Sequence, residues 1–319
     1  MRHALRLARF SALVFVGVAV AFIVVAVVFA RPADQGYAQG RRTLAATPLG
    51  PYNPAGRYVG PGFTNIDPPF IVLGQDQLPR INEPETGYEI NPVTISQYGL
   101  WAYGAGKPRI VKRVADWLVA HQTSGGKWLY HFEFSETGWA MKPPWSSALA
   151  QGQAISLLTR AYRQTGDRAY LSAAVRALRP LEQPVAAGGM RDCFMHDCRL
   201  PFYEEYPLPT PIYVLNGFMF TLIGLYDLST VAPSSDARRL YDDGIKTLHV
   251  ALPRYEIPGR DIASYDLSQL TYRKGQAPFV PPGNYQAVHV YLLRALDSLF
   301  PDPRFARYAA LWAAGLQRA

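Results

Sequence analysis

Residues 214–228, VLNGFMFTLIGLYDL, constrain the fold more than any other stretch of the chain. Leu215, Phe218, Met219, Leu222, Ile223, Leu225 and Tyr226 recur at helical spacing yet cover more than one face, which predicts a buried helix. Gly217 and Gly224 lie seven positions apart and let a neighbouring backbone approach along one side. Upstream, Thr210 and Pro211 suit an N-cap and a first helical residue. A helix hidden on several sides needs other helices around it, and the flanking sequence supplies them. Asn91-Pro92 opens one. Another carries Ile110, Val111, Val114, Trp117 and Leu118 on one face. Residues 146–165 form a third, closed by Gly166, and Asp167 caps a fourth. Residues 235–252, 285–300 and 302–316 add three more. KWLYHFEF at 127–134 alternates and reads as a strand or hairpin arm. Residues 181–206 read as loop with a hairpin. No strongly apolar strands lie between the helices, as a parallel α/β fold would need. The pattern therefore favours a mainly α protein, an α/α-toroid (an incomplete (α/α)6-type barrel) with short β-hairpins in its loops. Such a fold carries its functional residues on the inter-helix loops at one end.

The N-terminal third is organised differently. Residues 1–9 are a short basic tail with Arg2, Arg6 and Arg9. Residues 10–30 carry no charge and are long enough, as a helix, to span a bilayer core of roughly 30 Å. The basic flank places the tail in the cytoplasm and the remainder outside. This predicts a transmembrane signal anchor, with cleavage after Ala30 and secretion as the alternative. Residues 31–90 are rich in Pro and Gly and read as a linker with an extended segment near 70–75. Residues 91–319 form the helical domain. Cys193 and Cys198, in CFMHDC, fit an oxidising compartment and a local disulfide better than any standard zinc spacing.

Half of the chain is apolar, 49%, which excludes disorder and provides for a large core. The formal net charge is +8 with the basic residues scattered, so anionic partners are favoured and nucleic acid is not. No cofactor is expected. A structural divalent cation is left open, since no oxygen-ligand motif stands out. A membrane contact is expected only through the N-terminal helix, and a homodimer is left open.

Several blocks resemble the C-terminal domain of the D-glucuronyl C5-epimerase family. They are PVTISQYGL at 92–100, AQGQAISLLTRAY at 150–162, EEYP at 204–207, VLNGFMFTLIGLYDL at 214–228 and NYQAVHVYLL at 284–293. The resemblance implies an α/α-toroid enzyme, an isomerase that inverts C5 of glucuronic acid residues within an acidic polysaccharide such as heparosan. It implies Glu205, Tyr206, Tyr265 and Tyr285 as catalytic residues. One block departs from the family. Where the family has Tyr-Asp-Leu-Arg-His, this chain has Tyr265-Asp266-Leu267-Ser268-Gln269. The family arginine holds the substrate carboxylate, and Arg273 or Lys274 are the candidates to replace it here. Tyr98, Glu204, Asn216 and His289 complete the expected substrate-binding set.

The chemistry needs these residue types. Inversion at C5 removes a proton α to a carboxylate and returns one from the opposite face, so it takes two acid/base groups and a stabiliser for the enediolate. An extended backbone would point Glu205 and Tyr206 apart unless the turn at Pro207 rotates them. Each residue also has a structural alternative. Glu204 and Glu205 suit the N-terminus of the next helix, tyrosines suit a rim, and His289 suits a core. Trp139 and Trp145 either stack on sugar or pin their loop. Gln151 and Gln153 read as packing groups. A polysaccharide lyase shares the first proton abstraction. A non-catalytic glycan-binding protein on the same fold is the alternative outside catalysis. A glycoside hydrolase would need facing carboxylates, which adjacent glutamates supply poorly.

Overall fold

The computed structural model describes residues 33–48, 50–61, 66–136, 139–233 and 235–318. The apolar run 10–30 lies outside these. Among the described residues no helix is long and apolar enough to cross a membrane.

The protein is mainly helical, with short hairpins between the helices. In chain order the helices longer than one turn are α1 (Ala33–Ala46), α2 (Pro92–Gly104), α3 (Pro108–His121), α4 (Ala148–Thr165), α5 (Arg168–Arg176), α6 (Leu215–Ser229), α7 (Ala237–Tyr255), α8 (Gly283–Leu299) and α9 (Pro303–Arg318). Local chemistry sets several ends. The Asn91 side chain accepts from the backbone N–H groups of Val93 and Thr94, with Pro92 in the first turn of α2. Asp167 accepts from Ala169 N at the start of α5. Gly166 ends α4 in the left-handed region, at φ 73°.

α6 is buried along almost its whole length and packs on α4, α7 and α8. Gly224 of α6 rests on the Gly152 backbone of α4, so the two helix axes come close where a side chain would hold them apart. Phe218, Leu222 and Leu225 are fully buried here, each worth roughly 1.5–3 kcal/mol of hydrophobic stabilisation. α2 packs on α4, and α3, α5, α7 and α9 cover the outside.

α2, α4, α6 and α8 run in the same direction. Ala148 N donates to Glu204 O, Leu215 N donates to Tyr265 O, and Tyr285 meets Tyr265, so α4, α6 and α8 start at one end. At the opposite end the segment around residues 52–58 crosses beneath them. Tyr103 of α2 bonds Ala55 O, Arg160 of α4 bonds Gly56 O, and Tyr52 bonds both Asp227 of α6 and Ser298 of α8. The Arg160–Asp227 pair, 2.6 Å apart and fully buried, is the centre of this closure.

Two expectations are corrected. Part of the stretch read as linker is the helix α1, which packs on α8. Its contact is glycine on glycine: a side chain at Gly40 would strike the Gly283 backbone. The rest of that stretch includes a three-stranded antiparallel sheet, β1 (Ile71–Leu73), β2 (Pro79–Glu83) and β3 (Gly87–Glu89), with Ile71 opposite Ile81 and Ile81 opposite Glu89. The central helix also starts later than Thr210-Pro211. Leu267 N donates to Ile212 O and Leu215 N to Tyr265 O, and Tyr213 sits at φ 55°. These ties hold residues 212–214 against the loop of Tyr265 and delay the first helical turn.

The remaining hairpins lie in the loops. β4 (Phe134–Glu136) pairs with β5 (Trp139–Met141), β6 (Arg191–Cys193) with β7 (Pro201–Tyr203), and β8 (Glu256–Ile257) with β9 (Ile262–Ala263). The Cys193–Cys198 disulfide closes the β6–β7 connection.

Candidate active site

The site is built where β7 leads into the first turn of α6. Glu204 and Glu205 diverge as the chain leaves the strand. Glu204 turns to Tyr213, whose N–H donates to its Oε2 at 3.3 Å. Burial, with the charge of Asp192 second, holds its carboxyl well above the usual range. Glu205 turns to the first turn of α6 and lies against Gly217. It is buried at 2% exposure. Tyr206 and Tyr265 donate to its carboxylate. Burial pushes Glu205 up to about 8, and the two phenol donors oppose that rise.

The turn therefore brings Glu205 and Tyr206 together, which an extended backbone would not. Tyr265 packs edge-on against Tyr285 at 5.3 Å. The expected catalytic set Glu205, Tyr206, Tyr265 and Tyr285 thus forms one connected group drawn from two loops and α8. Burial, then the neighbouring Glu205, raises the Tyr265 phenol well above its ordinary value.

Tyr206 stands in an aromatic wall. Phe134 stacks on it at 5.3 Å, Trp139 lies at 4.9 Å, and Trp145 lies at 6.2 Å. Trp145 pins its loop: its indole N–H donates to Phe132 O and its ring stacks on Tyr130 at 3.8 Å. Trp139 is half-exposed beside Tyr206. Tyr130 escaped the sequence argument. It is fully buried, and the charge of Glu205 acts on its phenol. The alternation of KWLYHFEF carried the signal, since Trp128, Tyr130, Phe132 and Phe134 are all buried.

The other expected substrate contacts have these surroundings. Tyr98 stacks on Trp101 at 5.6 Å and feels Arg113 of α3. His289 lies one turn beyond Tyr285, fully buried beside the Trp312 ring at 6.0 Å, and neither ring nitrogen has a hydrogen-bond partner. Burial drops it to about 3, so it is a neutral core histidine at physiological pH. Asn216 is fully buried in the first turn of α6. Gln151 ties α4 to outer loops through Gly126 O and Ala177 O, a packing role.

Ser268 stands where the family has arginine. It is buried and its hydroxyl donates to Asp266 at 2.8 Å. The turn that follows folds back, so that Arg273 N donates to Ser268 O at 2.8 Å. The Arg273 guanidinium donates through Nε to Gln276, and its charge acts on Asp266. Lys274 beside it is exposed. Among the described residues no group of three or more His, Cys, Asp or Glu side chains is placed to hold a metal ion.

Comparison with known proteins covers the stretch of chain that holds Glu205, Tyr206, Tyr265 and Tyr285. The family model described as D-glucuronyl C5-epimerase C-terminus matches residues 121–314. The D-glucuronyl C5-epimerase of Caenorhabditis elegans is 37% identical over 212 residues, 62% of this chain and 33% of that protein. An uncharacterized protein of Methanocaldococcus jannaschii is 32% identical over 130 residues, 40% of this chain and 42% of that protein. The chain thus spans well under half the length of these curated relatives. A reducing end xylose-releasing exo-oligoxylanase superposes with a TM-score of 0.51 over 89% of this chain and 71% of its own, at 14% identity, which is a likeness of fold alone. With the family match covering more than half of its length, the chain belongs to the D-glucuronyl C5-epimerase family through that family's C-terminal part.

Proposed function

We propose that the protein is a uronyl C5-epimerase acting on glucuronic acid residues of an acidic polysaccharide, on an incomplete α/α-toroid. The observation that carries this reading is the connected group Tyr206–Glu205–Tyr265–Tyr285 at one end of four parallel helices. Tyr206, backed by Glu205, addresses one face of the sugar ring. Tyr285, backed by Tyr265, addresses the other. One pair accepts the C5 proton, the electron pair moves into the carboxylate as an enediolate, and the opposite phenol returns a proton to C5. That phenol is then reprotonated from solvent, and the accepting pair releases the proton it took from C5 to solvent, which restores both groups. Trp139 offers the sugar a stacking face. The first turns of α4, α6 and α8 open on this end and present the positive ends of their dipoles to the uronate. Arg273 is the cation we assign to the substrate carboxylate, because the turn after Ser268 brings it beside Asp266 and, among the described residues, its guanidinium donates through Nε to Gln276 alone.

The disulfide and the charge-free run 10–30 support a membrane-anchored protein with this domain outside the cytoplasm. A second reading, a non-catalytic glycan-binding protein, is favoured by one observation, the buried Ser268 in place of arginine. The test is product analysis. Incubation with heparosan and with other glucuronate polymers should yield iduronate residues by NMR, with chain length unchanged. An unsaturated product would instead identify a lyase, and binding without any product the second reading.

A further inference from the structure

The packed helices α4 and α6 carry two buried carboxamides with no partner, one of them in the turn of α6 that Glu205 lies against. Both amide atoms of Asn216 and both amide atoms of Gln153 lack a hydrogen bond, and both residues are fully buried. Leaving such groups dry costs on the order of 1–3 kcal/mol each. The Glu205 oxygen Oε2 is also buried and unpartnered, and it lies against Gly217, next to Asn216.

The helix register puts these groups together. Arg160 and Asp227 join α4 to α6, and Gly152 meets Thr221 and Gly224, so the two helices run parallel in fixed register. Gln153 shares a face with Arg160, seven residues on. Asn216 shares a face with Asp227, eleven residues on. Gln153 starts about one turn further along than Asn216, and side chains on a helix lean toward its N-terminus, so the long Gln153 side chain points toward the first turn of α6, where Asn216 and Glu205 lie. A water molecule needs two to four polar partners, and these three side chains supply five unpartnered atoms.

We propose that the carboxamides of Asn216 and Gln153 hold ordered water beneath Glu205, hydrogen-bonded to its free oxygen Oε2. Water at this site positions the carboxylate from behind while Tyr206 and Tyr265 hold it from the front. It also stabilises the ionised form. Asn216 and Gln153 are thus positioning residues, acting through water and Glu205 rather than on the sugar. The titratable groups that face Glu205 are Tyr130, Tyr206 and Tyr265, with Glu204 adjacent along the chain. The kinetic consequence rests on the epimerase reading; the water site itself does not.

The experiment is a high-resolution crystal structure of the full chain, followed by Gln153→Met, which conserves volume. The expected result is solvent density about 2.7–3.2 Å from both amides and from Glu205 Oε2, lost in the variant. If the two amides bond each other or Glu205 directly, with no density between them, the proposal is overturned whether or not the protein is an enzyme. The second readout is the pH profile of C5 deuterium uptake. Losing donors to the carboxylate should move its acid limb upward by about one pH unit in Gln153→Met, with the alkaline limb unmoved. An unmoved acid limb, even with water present in the wild type, would refute the coupling to Glu205. A wild type that shows the water but takes up no deuterium would leave the site standing and refute the epimerase reading instead.

Discussion

Gly217 and Glu205 occupy space that only one side chain can use. A methyl group built on Gly217 would fall 2.8 Å from Glu205 Cβ and 3.0 Å from its Cδ, and closer still to Oε2. The glycine is therefore what lets the carboxylate seat on the first turn of α6. Gly217→Ala should cost about 1–3 kcal/mol of stability through overpacking. It should also lower kcat/KM about a hundredfold, since a displacement near 1 Å is enough to spoil alignment. Thermal unfolding and uptake kinetics read the two effects separately. A variant with full activity would show that Glu205 does not act from this position.

Glu205 makes folding pH-dependent. Its folded value of about 8 lies above the ordinary carboxyl range. Below that range both folded and unfolded chains hold the proton, and the group contributes nothing. As pH rises toward 8 the unfolded chain releases the proton first, so the folded state loses stability, on the order of a few kcal/mol at most. Glu205→Gln should flatten this decline and be more stable than the wild type at pH 8. Denaturant unfolding at pH 5 and pH 8 measures it. If Glu205 is the base, kcat/KM of the wild type should also rise with pH to a midpoint near 8.

The closure at the far end depends on one buried pair. Asp227→Ala leaves the Arg160 guanidinium buried and unpaired, which should cost about 3–5 kcal/mol. Tyr52→Phe removes a phenol that bonds both Asp227 and Arg160 and should cost about 1–3 kcal/mol. Urea unfolding of both variants checks the order of the two effects. Equal stability of Asp227→Ala and wild type would show that the segment around 52–58 is not held by this pair.

Arg273 is proposed above to meet the substrate carboxylate in place of the family arginine. Arg273→Ala should lower kcat/KM on a uronate polymer about tenfold to hundredfold, the worth of a charge-assisted hydrogen bond. Lys274→Ala should change it little, because that side chain is exposed. The reverse order would transfer the carboxylate contact to Lys274.

The central helix was legible because its apolar residues leave no polar face, and the disulfide because two cysteines five apart had only each other. The helix α1 was not legible. Its glycines, which read as linker composition, are the surface that meets Gly283, and only the partner helix reveals that. The site was legible by resemblance more than by pattern. Tyr265 and Tyr285 lie twenty residues apart and Glu205 sixty before Tyr265, so no local period joins them. Tyr98 and His289 each sit in a matching block and each carried a structural alternative. In the fold Tyr98 stacks on Trp101, and His289 is buried beside Trp312. The late start of α6 depended on ties from Tyr265 and Leu267, fifty residues away, which override the Thr210-Pro211 start signal.

Deuterium uptake at C5 tests the central claim most directly. The full chain would be incubated in D2O with heparosan, and C5 read by NMR in the recovered polymer. The account predicts deuterium at C5 without chain cleavage, reduced at least a hundredfold in both Tyr206→Phe and Tyr285→Phe. Polymer that binds yet gains no deuterium would contradict it, as would uptake that survives loss of both phenols.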